Sequence, residues 1–74
     1  MSYAPLDAAR VAKAAQSALQ ALGQVKEASE AHQRKTIMVE RIHALAVAAA
    51  ETTLPGGQLV TLTSEEFWLI SKNW

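Results

Sequence analysis

No cysteine occurs among the 74 residues, so neither a disulfide framework nor a thiolate metal site can hold this chain together. That absence fits a reducing compartment, and the cytoplasm is the expected location. Breakers are scarce: there are three glycines and two prolines. None of them interrupts the stretch from Gln24 to Leu54, and a run that long without either residue predicts helix. Excess charge of one sign is missing as well, with seven basic residues against seven acidic. Lys26, Arg34, Lys35 and Arg41 alternate with Glu27, Glu30 and Glu40. No segment therefore has the basic excess of a phosphate-tracking surface, and nucleic acid is not an expected partner. No apolar run approaches the roughly 20 residues that span a bilayer. No charged region followed by an apolar one opens the chain, so neither a membrane nor a secretory signal is expected. Asp7 is the single aspartate, and no Ser–His–Asp arrangement is evident. The expected protein is not an enzyme and carries no cofactor.

What the chain does have is alanine. Half of the residues are apolar, but many are Ala, which buries little surface. The large apolar side chains cluster at Leu19–Val25, Ile37–Val47 and Leu54–Trp74. A chain of this size buries only about 60% of its unfolded surface, so its core is marginal and association is an economical way to complete it.

Pro5 suits a first helical turn, with Ser2 as a cap and Asp7 near the positive end of the helix dipole. Ala8, Val11, Ala15, Ala18, Leu19, Leu22 and Val25 then recur at helical spacing. Gly23 either ends a helix as its C′ residue or sits inside a longer one at a cost of about 1 kcal/mol against Ala. The apolar phase runs through it without a slip, which favours one helix continuing past it. Lys26–Thr36 is polar throughout. It reads either as the solvated middle of one helix over residues 5–53, roughly 70 Å long, or as the site of a hairpin bend within His32–Thr36. Met38, Ile42, Leu45 and Ala49 form one stripe, widened by Val39 and Ala46. Thr52 and Thr53 lower helix preference, and Pro55-Gly56-Gly57 makes a turn.

Gln58–Leu62 alternates and is rich in strand formers, so residues 55–63 are expected to be turn and extended segment. Thr63 with Glu66 forms a capping box, and Leu62 with Phe67 a hydrophobic staple around it. A helix is expected over 64–72. Phe67, Ile70 and Trp74 fall on one side of it, Trp68 on the shoulder and Leu69 nearly opposite. The stretch LVTLTSEEFWLI, Leu59 to Ile70, is similar to a segment of winged-helix response-regulator domains, where a strand runs into Leu-Thr and then a Glu-Phe helix. The similarity covers twelve residues and implies a shared strand-to-capped-helix structure, with no function carried over.

One spacing suggests metal chemistry. Glu40-Arg41-Ile42-His43 places a carboxylate and an imidazole three residues apart on a helix, as in bundles that hold two irons. Glu27 and Glu30 would face that pair if the chain bent near Arg34. As ordinary polar-face residues, Glu40 and His43 need no metal. His32 and His43 would lie about 16 Å apart on one helix, too far to share a site.

The sequence thus predicts a mainly α protein: one domain, with a long helix or α-hairpin over 5–53, a turn and short extended segment, and a capped C-terminal helix. A homodimeric helical bundle is expected to pair across Met38, Ile42, Leu45 and Ala49. Phe67, Trp68, Ile70 and Trp74 would lock that dimer or dock a larger protein. The expected function is a protein-binding module that regulates or inhibits a larger partner, like the small host-directed inhibitors of bacteriophages. The alternatives are a structural assembly subunit and a small metal-binding bundle built on Glu40 and His43.

Overall fold

The computed structural model describes residues 2–55 and 57–74. Strand β1 (Ser2–Asp7) leads into helix α1 (Ala8–Leu22). A turn over residues 23–29 joins α1 to helix α2 (Glu30–Ala50). Strand β2 (Leu59–Thr63), helix α3 (Ser64–Ile70) and a final 3-10 turn (Ser71–Asn73) complete the order. The protein is mainly helical, with a two-stranded antiparallel sheet. Among the described residues, no helix is long and apolar enough to cross a membrane.

The first expectation to fall is the helix beginning at Pro5. Residues 2–7 form a strand because β2 offers them a partner: Tyr3 pairs with Leu62 and Leu6 with Val60. The register slips by one residue between Tyr3 and Leu6. Pro5 lies inside that irregularity, where its missing N–H deprives the ladder of least. Helix α1 starts one turn later than its composition suggested. Asp7 caps it, accepting the Ala9 N–H at 3.3 Å. The Ala8 N–H reaches across to the Gln58 carbonyl at 2.9 Å, fixing the start of α1 to the approach to β2.

The second correction concerns the bend. The hairpin reading holds, but the chain does not continue through Gly23, nor does it turn in His32–Thr36. Gly23 is the C-cap of α1, and its N–H bonds the Leu19 carbonyl at 2.9 Å. Its backbone is right-handed (φ −72°), so the turn does not depend on a conformation reserved for glycine. Ser29 restarts the helix by accepting the His32 N–H at 3.1 Å. His32 then bridges the two helices, its ring Nε2 donating to the Leu22 carbonyl at 2.9 Å. One of the orphan carbonyls at the end of α1 is satisfied by the first turn of α2. The longest dimension of the molecule is 43 Å, well short of the extended single helix.

Folding back buries an Ala-lined face. From α1 come Ala8, Val11, Ala14, Ala15 and Ala18, and from α2 Val39, Ile42 and Ala46. Val60 and Leu62 from β2 and Ile70 from α3 close the cluster. Small side chains let the two helices approach closely, so the larger residues can fill the remaining space between helices and sheet. No polar or charged side chain is buried among the described residues, and none of their buried side-chain polar atoms lacks a partner. The core is held by apolar packing alone.

The capping box is as the sequence predicts. Glu66 N–H donates to Thr63 Oγ1 at 3.1 Å, and Thr63 N–H to Glu66 Oε1 at 2.8 Å. Helix α3 is shorter than expected, passing into a 3-10 turn at Ser71. Helix α3 packs on both long helices and both strands, covering Phe67, Leu69 and Ile70 while leaving Trp68 exposed.

Candidate functional site

The expected contact residues divide sharply by position. Ile42 and Ile70 are interior, 1% and 0% exposed, and are consumed by the chain's own core. The buried line of α2 is Val39, Ile42 and Ala46, which turns the expected stripe by one residue. Met38 and Ala49 are half-buried at its margins, while Leu45 points outward at 52% exposure. Phe67 and Leu69 are half-buried against the core. Trp68 is the outlier of α3, 67% exposed.

The two tryptophans, adjacent in expectation, have different surroundings. Trp74 packs edge-on against Phe67, with ring centroids 5.3 Å apart. The Arg10 guanidinium lies 4.3 Å from the centre of the Trp74 ring and donates to its main-chain oxygen at 2.9 Å. Trp74 thus ties the end of the 3-10 turn to α1. Beside Trp68, by contrast, lies a single cation–π neighbour among the described residues, Lys35 Nζ, 5.9 Å from the ring centre. That is within the range of a cation–π contact, at an exposed site where such contacts are weak.

Trp68 forms one wall of a groove of about 290 Å³ between α1, α2 and α3. Buried Ala18 and Val39 make its floor, with Leu22 and Leu69 beside them. Exposed Lys35 and Lys72 stand at its edge. Its volume lies near the lower end of the roughly 300–1,000 Å³ typical of small-molecule sites. It suits one or two inserted apolar side chains. A second, larger and more open hollow of about 440 Å³ adjoins the α1–α2 turn, lined by Val25, His32, Thr36 and Ile37. Leu22 belongs to both. The sequence signal for this surface was present in Trp68 and the Leu19–Val25 cluster, but their meeting depends on how the hairpin and α3 pack.

The metal arrangement does not assemble as expected. Glu40 is exposed and His43 half-buried. Glu30 opens the same helix that carries Glu40, about 15 Å away along its axis. The bend near Arg34 that would have set Glu30 against Glu40 does not exist. Among the described residues, no group of three or more His, Cys, Asp or Glu is placed to hold a metal ion.

Comparison with models of protein families, with curated proteins and with solved structures finds no match for this chain. The functional reading rests on its own surface.

Proposed function

We propose that this protein is a non-catalytic binding module that docks a larger protein partner through the Trp68 groove. The observation that carries the reading is the exposure of Trp68 beside an apolar hollow, in a fold whose other large α3 side chains are packed inward. Tryptophan is the side chain most enriched among interface residues that dominate binding energy. An exposed indole at the wall of a concave apolar surface is the arrangement such an anchor takes. The test is capture of a partner from the native host by wild-type protein, by Trp68→Ala and by Leu54→Ala. Leu54 is 71% exposed and lies outside the groove lining. Loss with Trp68→Ala and retention with Leu54→Ala support the groove; equal capture by all three rules it out.

A second reading, homodimerisation across the outer face of α2, is favoured by Ile37 and Leu45. Both are about half exposed, and they stand eight residues apart on one side of the helix. Sedimentation at micromolar concentration separates the two readings. A monomer whose mass is unchanged by Leu45→Glu excludes the dimer, whereas a dimer dissociated by that substitution establishes it.

A further inference from the structure

The lining of the Trp68 groove is uneven in charge. The whole chain is neutral, yet the groove carries two ammonium groups, Lys35 and Lys72, and no carboxylate. Of the two glutamates of α3, Glu66 is held at the Thr63 N–H, and neither lines the groove. The two lysines come from different elements, α2 and the 3-10 turn. They therefore flank the apolar floor rather than forming a run along one helix. Lys35 already rests over the Trp68 ring, which positions its ammonium beside the entrance without neutralising it.

We infer that the occupant of this groove is an acidic amphipathic segment of a partner protein: a large apolar side chain that enters the hollow, with carboxylates on either side that meet Lys35 and Lys72. This inference rests on the groove being the docking site. Apolar burial supplies affinity, while the lysines repel basic competitors, favour acidic over neutral ones and speed encounter with an acidic partner. The surface is concave and walled by α1, α2, α3 and the 3-10 turn, which favours an inserted side chain over a lipid surface, since a bilayer is met by apolar groups that protrude. Two cations are too few to follow a phosphate backbone.

The test uses the full chain and two short helix-forming peptides of identical apolar sequence, Leu and Phe one turn apart, flanked by glutamates in one and glutamines in the other. Amide chemical shifts and Trp fluorescence report binding. The glutamate peptide is expected to bind about tenfold more tightly at low salt, with shifts centred on Leu22, Val39 and Leu69. Lys35→Glu with Lys72→Glu is expected to abolish that preference, and Trp68→Ala to weaken both peptides equally. Equal binding of the two peptides in the groove overturns the acidic occupant and leaves docking standing. Binding of neither peptide overturns the acidic occupant as well, and the capture experiment with Trp68→Ala then judges docking separately. Anionic phosphatidylserine vesicles or a single-stranded oligonucleotide engaging Trp68 and both lysines, where the glutamate peptide does not, assigns the surface to membrane or nucleic acid and overturns the inference.

Discussion

The guanidinium carbon of Arg10 lies over the Trp74 ring, 4.3 Å from its centre, while the same side chain donates to the Trp74 main-chain oxygen at 2.9 Å. One side chain near the start of α1 thus holds the far end of the chain by two different interactions. Arg10→Ala is expected to lower stability by about 1–2 kcal/mol, combining a cation–π contact with a charge-assisted hydrogen bond at a partly exposed site. Arg10→Lys keeps the charge but cannot both cover the ring and reach the main-chain oxygen with separate nitrogens of one planar group, so it should recover less than half of that loss. Urea unfolding gives the stability, and a red-shifted emission maximum in the folded state would report the released indole.

Thr63 and Glu66 satisfy each other's backbone N–H groups at the start of α3. Thr63→Ala is expected to cost about 1 kcal/mol. Because the two halves of the box act together, Thr63→Ala with Glu66→Ala should cost less than the sum of the single changes. A double-mutant cycle in urea measures the difference, and strict additivity would mean the two bonds act independently.

Ile70 and Trp68 are two residues apart and should behave oppositely. Ile70 is fully buried, and Ile70→Ala should cost about 2–5 kcal/mol through lost burial and the cavity left behind. Trp68→Ala, at an exposed position, should change stability by about 0.5 kcal/mol or less while removing partner capture. Thermal melts beside capture assays check both. A large drop in melting temperature for Trp68→Ala would show that the indole supports the fold.

Gly57 sits where a side chain has no room. A Cβ there would lie 2.5 Å from the Thr52 methyl carbon, 3.2 Å from Thr52 Oγ1 and 3.1 Å from the Leu54 carbonyl oxygen. Thr52 cannot simply rotate away, because its Oγ1 accepts the Leu54 N–H at 3.3 Å. Gly57→Ala is therefore expected to destabilise by about 1–3 kcal/mol, as overpacking does. An unchanged urea midpoint would show that the turn relaxes at no cost.

Features set by neighbours in sequence were legible before the fold was known. The Thr63–Glu66 box needs only three residues of spacing, and the alternation of Leu59–Thr63 declares a strand by itself. What escaped was decided across the chain. Pro5 and Asp7 carry helix-start chemistry, but pairing with β2 makes the first residues a strand and leaves the cap to Asp7. Gly23 is a local stop signal, but the unbroken apolar phase and the helix formers of residues 24–31 weigh against it, so the sequence alone does not decide that α1 ends at Leu22. That end is fixed by α2 returning to set His32 on the Leu22 carbonyl. The face of α2 was ambiguous because apolar residues surround it, and only contact with α1 chooses Val39 and Ala46 over Leu45. The groove is a product of the same packing. Trp68 was visible as an aromatic, but not as the partner of Lys35.

The pairing of β1 with β2 brings Ser2 against Thr63, so both long helices lie within the loop that this pair closes. The α1–α2 hairpin, closed by a short turn, can assemble early at little entropic expense. Strand pairing must wait for the long loop to close. Contact order therefore predicts that the sheet forms after the hairpin. Substitutions that weaken the sheet should accelerate unfolding more than they slow folding, while changes at the helix–helix contact should do the reverse.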